Sequence, residues 1–483
     1  CSHFGGPDVP RSRRRCPPPH TRGATLRAAR DADAGASRRA RSAAGSAAAC
    51  GAQRPAGHGA RCTDTIGATA AASGSTHQER LTMRTRSVRV APASKGLPAR
   101  ITSIRWQALR TPSRERNWIV ESSSASGRGS ERTSHMEIFN TKGNRKLSTG
   151  FGLRLHGGAG RRGDFNTKKS YRAYFRDVYG SPKVKYNIIP TADVKDFDKL
   201  VLRANANDRA PGGAYIRDQL MRDLHKDMGG LVSNGTWCML YVNGKNYGVY
   251  NVVERMDEEF MASHTGKGEY DIIKTGNTIL SGTRDAWEDL RRFVESTDLS
   301  KKENYETLKR RVDIDDFTAY MIVNLWGQNY DWPHNNWYAA RRLPEGKWRF
   351  MCWDSEWVFF GGPYEANSGS YAFIDSGGAY GFSTQRKIFI ALLGNSEYRE
   401  YYQAEVRRHL SGALSEENVL RRTRQLRDAI ANEVAHEYRV RKYDIMTWHR
   451  KIREVEDFAR IAGKNFRKWT DDYFTSVSYT HLT

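Results

Sequence analysis

The amino-acid composition of the chain changes near residue 134, and this change limits which part of the chain can fold. Residues 1–133 carry 24 Lys and Arg against 8 Asp and Glu, and only one of those basic residues is lysine. Their few apolar residues follow neither the period of two of a strand nor the period of 3.6 of a helix. Such a segment buries too little apolar surface to offset the conformational entropy lost on folding. We predict that residues 1–133 lie outside the folded unit, as a mistranslated stretch, a natural disordered arm or a nucleic-acid-binding tail.

The distribution of charge argues against nucleic-acid binding by the remaining residues. The formal net charge is +24, of which residues 1–133 contribute +16 and the other 350 residues only +8. Trp326, Trp332 and Trp337 stand among acidic rather than basic residues, unlike the aromatic platforms of proteins that bind single strands. We therefore expect no nucleic-acid partner for the folded part. No apolar run reaches the length of about 18 residues that a membrane-spanning helix requires, so we expect no transmembrane segment.

Two further features concern cysteines and the end of the chain. Cys238 and Cys352 both stand in apolar, strand-like runs, which predicts two ordinary buried thiols rather than a disulfide or a metal site. The last eight residues, 476–483, are predicted to be an artefactual tail.

Hydrophobic periodicity from about residue 135 predicts an α+β fold. Residues 151–155 and 171–175 alternate between apolar and other side chains, which predicts two strands. Asn243-Gly244 between β-prone residues predicts a hairpin turn. Apolar residues at helical spacing predict three helices, at residues 216–224, residues 313–326 and from residue 415 onward. The folded part is therefore predicted to contain a β-rich region at residues 134–257 and a more helical region at residues 258–475.

Two acids and one amide in the second half form a pattern suited to phosphoryl transfer. Asn336 follows Asp331 by five residues, and Asp354 follows after a predicted strand, turn and strand. One carboxylate orients and deprotonates a hydroxyl in such chemistry, while the amide and the second carboxylate hold magnesium. We predict Asp331 as the catalytic base, and Asn336 and Asp354 as metal ligands, with Asn335 as the alternative amide.

The residues around these positions resemble the spore-coat protein H (CotH) kinase family, an atypical protein-kinase-like family. The similarity extends from about residue 150 to about residue 410. Its motifs include NYDW at 329–332, NNWY at 335–338, WRF at 348–350, WD at 353–354, KKSYR at 168–172, YIRD at 215–218 and YVNG at 241–244. The resemblance implies an atypical two-lobed kinase-like fold, with residues 134–257 as the N-lobe and residues 258–475 as the C-lobe. It also implies ATP and Mg²⁺, or Mn²⁺, as cofactors.

A glycine-rich turn and two lysines are predicted to contact the nucleotide. Gly157, Gly158 and Gly160 with Arg161 stand between two predicted strands, where a loop can cover phosphates through its backbone amides. Lys168 and Lys169 follow, and because adjacent strand residues face opposite ways, only one can enter the cleft. Alternation with Tyr171 favours Lys169.

Two other acids are weaker candidates. The resemblance implies a nucleotide-facing role for Glu254, near the crossing between the lobes, and the alternative is a solvated acid at a helix start. Asp218 lies on a predicted amphipathic helix, where it can pair with the cleft lysine or with Arg217, and a surface ion pair is the alternative.

These features predict a protein kinase that transfers the γ-phosphate of ATP to Ser or Thr hydroxyls. The resemblance implies that the substrate is a Ser/Thr-rich secreted or coat-associated protein, and that the chain itself is extracellular, envelope-bound or part of a spore coat. The alternative is a catalytically inactive CotH-like module for surface or coat assembly. The intact Asp331, Asn336 and Asp354 favour the enzyme, whereas the glycine turn, which departs from the Gly-x-Gly-x-x-Gly pattern of protein kinases, favours the inactive module.

Overall fold

The first half of the folded region is a closed barrel of seven strands. The computed structural model describes residues 101–108, 127–161, 168–360 and 383–480, all within the unit formed by residues 86–483. The strands of this part are β1 (Ile101–Ala108), β2 (Arg132–Asn140), β3 (Arg145–His156), β4 (Ser170–Tyr174), β5 (Val184–Lys185), β6 (Asp196–Phe197), β7 (Lys199–Arg203), β8 (Gly235–Val242) and β9 (Lys245–Glu254). The barrel order is β1-β2-β3-β4-β7-β9-β8, and β1 pairs with β8 in parallel to close it.

The barrel confirms the strands and the hairpin predicted from periodicity. Phe151, Leu153 and Leu155 of β3 are buried in the barrel core, and β4 places Tyr171 and Ala173 in the same core. Asn243 and Gly244 join β8 to β9 with positive φ angles of 48° and 79°, the conformation that favours these residue types in two-residue hairpins.

The predicted start of the folded unit at residue 134 is wrong for two stretches. Strand β1 pairs along its length with β2 and, through Ser103 to Trp106, with β8, so residues 101–108 complete the barrel. Residues 127–133 also belong to the fold, because Ser130 is buried and β2 begins at Arg132. The prediction was based on the composition of the whole Arg- and Ala-rich segment. A short β-prone run such as ITSIRWQA changes that composition little. The rest of residues 1–133 lies outside the described residues.

The second half combines a four-stranded sheet with helices, which confirms the α+β prediction. The sheet has the order β11-β10-β12-β13, and its strands are β10 (Tyr270–Lys274), β11 (Thr278–Ser281), β12 (Trp337–Arg342) and β13 (Arg349–Cys352). The helices of the described residues are α1 (Arg217–Asp227), α2 (Glu258–Thr265), α3 (Asp285–Ser296), α4 (Lys302–Arg311), α5 (Ile314–Trp326), α6 (Thr384–Leu393), α7 (Ser396–Leu410), α8 (Glu416–Arg441) and α9 (Ile445–Thr480). No helix in the described part of the chain is long and apolar enough to cross a membrane.

The predicted helices are confirmed, with small differences at their ends. The side chains of Asp313 and Ser415 accept hydrogen bonds from backbone N–H groups at the starts of α5 and α8, so both helices begin where the sequence indicates. The predicted boundary at residue 475 falls inside α9, which continues to Thr480. Cys238 and Cys352 are buried free thiols, as predicted.

A small apolar cluster brings the outer face of the barrel against the four-stranded sheet. Val201 of β7 and Val253 of β9 pack in this cluster with Ile272 of β10, and Met351 and Trp353 at the end of β13 complete its centre. Because β7 ends at Arg203 and β13 ends at Cys352, polar residues that follow both strands meet at one edge of this contact.

A buried ion pair connects the barrel region to helix α8. Lys168 Nζ lies 3.3 Å from Glu437 Oε1 of α8, and both side chains are about 95% buried or more. Glu437 also accepts a hydrogen bond of 2.8 Å from Val249 N of β9. Burial alone would raise the pKa of Glu437, but the charge of Lys168 and the Val249 N–H outweigh it, so the pKa lies below its usual range.

We expect Glu437→Gln to destabilise the fold strongly. The amide keeps the shape but leaves the buried Lys168 charge without its partner, a change that typically costs about 3–5 kcal/mol. Chemical denaturation at pH 7 measures the loss, and Glu400→Gln, an exposed acid of α7, is the matched control with an expected effect of about 0.5 kcal/mol or less.

The pH dependence gives a second test of the same contact. A carboxyl whose pKa is lower in the folded state stabilises the fold above its unfolded pKa, and this stabilisation is lost as pH falls through the folded pKa. The difference between wild type and Glu437→Gln should therefore shrink on acidification below the usual glutamate range. A difference that is small at pH 7, or that does not depend on pH, would show that the ion pair does not hold α8 on the barrel.

Candidate active site

The structure brings Asp331, Asn336 and Asp354 together in one place. The Asn336 amide donates a hydrogen bond of 2.8 Å to Asp331 Oδ2 and a second one of 3.3 Å to the backbone carbonyl of Asp354. We call these three residues the acid–amide cluster. The amide thus joins the Asp331 carboxylate to the backbone of Asp354, the second acid that the sequence spacing singled out.

Local backbone geometry explains how three separated residues converge. Asn336 directly precedes β12, Asp354 follows β13 by two residues, and Trp337 pairs with Cys352 in the antiparallel ladder. Asn336 and Asp354 have φ angles of 61° and 57°. This left-handed region is disfavoured for most side chains and tolerated best by Asn and Asp after glycine, so both positions combine a polar group with a sharp change of chain direction.

The two candidate amides hold different oxygens of Asp331. Asn335 Nδ2 donates to Asp331 Oδ1 over 3.0 Å, and His334 Nε2 lies 3.2 Å from the same oxygen. Only Asn336 contacts both acids, and its own Oδ1 has no hydrogen bond within the described residues. The geometry therefore favours Asn336 over Asn335 as the amide of the cluster. The Asp331 side chain is 33% exposed, so a substrate group has access to it.

Arg203, which the sequence analysis missed, lies at the centre of a buried charge network. Its guanidinium at the end of β7 binds the Asp354 carboxylate and lies 2.8 Å from Glu356 Oε1 and 3.4 Å from Asp218 Oδ2. Burial opposes its charge, but the three carboxylates outweigh that effect and raise the pKa of Arg203. Arg203 therefore stays charged and fixes one oxygen of Asp354.

Asp218 and Glu356 support the acid–amide cluster from its buried side. Asp218 Oδ1 accepts the Ser355 N–H at 2.8 Å, and its other oxygen contacts Arg203 and Arg222. The prediction that Asp218 pairs with the cleft lysine or with Arg217 is therefore wrong. Glu356 uses both oxygens, one on Arg203 and one on the Asn207 N–H at 2.6 Å. Both acids are buried, and they hold the segment that carries Asp354.

The glycine turn begins beside the acid–amide cluster. The ring of His156, the last residue of β3, meets the ring of Trp353 edge-on at a centroid distance of 6.0 Å. Gly157 follows with a φ of +105°, and both it and Gly158 are exposed. A short 3-10 turn then covers Ala159–Arg161, and residues 162–167 lie outside the described residues. The contact between His156 and Trp353 therefore places the start of the turn near Asp354.

Lys169 contacts the glycine turn. Its Nζ donates a hydrogen bond of 3.2 Å to the Gly160 carbonyl, and its side chain is buried. Tyr171 belongs to the barrel core, whereas Arg172, the next residue of β4, donates a hydrogen bond of 2.7 Å to His156 Nδ1 beside Trp353. The choice of Lys169 over Lys168 as the lysine that enters the cleft stays a prediction.

Glu254 lies at the end of β9, where its carboxylate is fully engaged. Asn234 donates its backbone N–H and its side-chain amide to Oε2 at 2.9 and 2.8 Å, and His264 Nε2 lies 2.8 Å from Oε1. Glu254 has no hydrogen bond to the acid–amide cluster in the part of the chain that the structure describes. These contacts anchor the loop before β8 and helix α2 to the strand.

Comparison with known proteins places the sequence in a family. The model of the family described as CotH kinase protein matches residues 153–464, more than half of the 483 residues. The matched range contains Asp331, Asn336 and Asp354 together with Arg203 and the glycine turn. A search of curated proteins finds no match to this chain. The chain therefore belongs to the CotH kinase protein family.

Proposed function

We propose that this chain is an atypical protein kinase with a two-lobed kinase-like architecture. It would use ATP and Mg²⁺ to phosphorylate Ser or Thr hydroxyls of a secreted or coat-associated protein. The observation that carries this proposal is the Asn336 amide, which joins Asp331 and Asp354 at one sheet edge. Membership of a kinase family supports the same chemistry.

The chemistry of the cluster fits magnesium. Mg²⁺ prefers hard oxygen ligands and is held by one or two carboxylates together with waters and phosphate oxygens. Arg203 occupies Oδ1 of Asp354, while the carboxylate as a whole is 42% exposed. Asp354 and the Oδ1 of Asn336 would hold the ion, with Mn²⁺ as a chemically similar substitute. The bound metal would neutralise charge on the transferred phosphate.

Asp331 has the environment of a group that orients an acceptor hydroxyl. It is partly exposed, and the Asn335 and Asn336 amides and His334 fix its plane. A carboxylate held in this way accepts a hydrogen bond from a Ser or Thr hydroxyl and takes its proton as phosphate is transferred. Positioning of the hydroxyl supplies most of the rate enhancement in such reactions.

The turn at Gly157, Gly158 and Gly160 would cover the nucleotide with its backbone N–H groups, and Arg161 would extend this contact. Lys169 supports the turn through the Gly160 carbonyl. Because both carboxylate oxygens of Glu254 are engaged by Asn234 and His264, any nucleotide contact there would involve the neighbouring backbone.

The direct test is transfer of labelled phosphate from ATP to a Ser/Thr-rich peptide pool or to the protein itself. We expect transfer with Mg²⁺ or Mn²⁺ and none with a chelator, and acid hydrolysis of the product should release phosphoserine or phosphothreonine. Nucleotide binding without transfer under all these conditions would contradict the proposal and favour an inactive module for surface or coat assembly.

A further inference from the structure

Three cations stand where the barrel meets the four-stranded sheet. Arg172 stands in the middle of β4, Arg255 directly follows β9, and Lys274 is the last residue of β10. We call them the cation cluster. The guanidinium carbons of Arg172 and Arg255 lie 5.9 and 5.8 Å from the centroid of the same Tyr174 ring. Burial and, after it, the positive charges of Arg172 and Arg255 lower the pKa of Lys274.

The cation cluster has too few negative partners. Arg255 binds Asp257 at 2.9 Å, and Asp257 also lies 3.2 Å from Lys199. Among the described residues, Arg172 has hydrogen bonds to the Tyr174 hydroxyl and to His156 Nδ1 and none to a carboxylate, and its buried Nε has no partner there. Lys274 has no hydrogen bond and no ion pair within the described residues.

Excess positive charge of this kind is unfavourable in a fold on its own. Half-buried charges destabilise a protein unless they are paired or bind a counter-charge. Clusters of such groups with perturbed pKa values are a mark of binding and catalytic sites. An anionic ligand would supply a negative partner for Arg172 and Lys274 and further negative charge for Arg255.

The cation cluster is next to the acid–amide cluster. Arg172 bonds His156, whose ring packs against Trp353, the residue before Asp354. Lys274 pairs in register with Tyr338, whose ring also packs against Trp353 at 5.8 Å. An anion bound here would therefore lie near Asp354, a candidate metal ligand, and near His156, the residue before the glycine turn.

We propose that Arg172, Arg255 and Lys274 bind the phosphate chain of the nucleoside triphosphate. This inference rests on the proposed kinase function and assigns the main charge contacts to residues other than Lys169. Arginine offers a planar fork to phosphate oxygens and lysine a compact point charge, so the three together suit several adjacent phosphates.

Lys274 is the best residue to test because, in the part of the chain that the structure describes, its substitution breaks no hydrogen bond and no ion pair. Lys274→Gln is expected to weaken binding of inorganic tripolyphosphate about 10- to 100-fold, the equivalent of one charge-assisted hydrogen bond. Lys274→Arg should restore most of the affinity. Lys347→Gln, an exposed lysine in the turn before β13, is the matched control and should bind as the wild type does. The effect is measured by calorimetric titration without metal. Adenosine, which has no phosphate, serves as the uncharged comparison ligand.

A second measurement on the unmodified chain covers the case in which a variant fails to fold. Lysine labelling followed by mass spectrometry should show tripolyphosphate or ATP protecting Lys274 but not Lys347. Unchanged tripolyphosphate affinity in Lys274→Gln, or no protection of Lys274, would overturn the inference. Protection by a phosphoserine peptide but not by ATP would also overturn it, because the cation cluster would then serve the acceptor.

These outcomes separate the inference from the proposed function. Tripolyphosphate binding does not depend on phosphoryl transfer, so a chain that transfers nothing but loses tripolyphosphate affinity in Lys274→Gln keeps the binding site and loses the kinase proposal. A chain that transfers phosphate while Lys274→Gln binds tripolyphosphate normally keeps the kinase proposal and loses this site.

Discussion

Replacing Asp354 with alanine is expected to abolish the magnesium dependence of nucleotide binding. Asp354 is the carboxylate of the acid–amide cluster that is assigned directly to the metal, and neighbouring acids are not free to replace it. Glu356 has both oxygens engaged by Arg203 and the Asn207 N–H, and Asp218 is engaged by Ser355, Arg203 and Arg222. Without Asp354, one amide oxygen would remain as a protein ligand.

The fold should survive this substitution, which makes the result interpretable. Arg203 keeps Asp218 and Glu356 as partners, so its buried charge stays neutralised. Titration of nucleotide at several magnesium concentrations by calorimetry measures the effect, with Asp193→Ala, an acid that is 85% exposed, as the control. Nucleotide binding that still strengthens with magnesium in Asp354→Ala would remove Asp354 from the metal site and make Glu356 the next candidate.

The sequence predicted those parts of the site that depend on local order along the chain. Asp331 and Asn336 share one loop, and Asp354 follows a short strand that pairs with the strand after that loop. Their spacing therefore carries spatial information, because a tight antiparallel pair returns the chain to its start. The same holds for the hairpin at Asn243-Gly244 and for the helices whose first turns carry a capping side chain.

Arg203 and the cation cluster escaped prediction because their positions depend on long-range packing. Arg203 ends an ordinary apolar strand 151 residues before Asp354, and nothing local marks it as the partner of three acids. Arg172 lies in the same KKSYR motif that drew attention to Lys169. Alternation showed which residues of β4 share a face, but it did not show which face forms the barrel core. Only the closure of the barrel by β1 and the docking of the second sheet decide that question.

Asp331→Asn is expected to leave nucleotide affinity within a few-fold of wild type and to lower phosphoryl transfer steeply. The amide keeps the shape of the side chain, but it loses the negative charge and the ability to accept a proton. Asp331 is assigned to the acceptor hydroxyl rather than to the metal, so its interaction should matter mainly in the transition state. Loss of a positioned acid or base group typically lowers the rate about 10²- to 10⁴-fold.

The measurement pairs labelled-phosphate transfer with a nucleotide titration on the same preparation, and Asp193→Asn provides a control for loss of one exposed carboxylate. Part of any change will come from the amide donors of Asn335 and Asn336, since an asparagine at 331 satisfies fewer of them than a carboxylate does. That contribution should appear as a small loss of thermal stability and not as a loss of rate. Transfer by Asp331→Asn at the wild-type rate would make Asp331 a structural acid of the loop, and the hydroxyl would then need another base near Asn336.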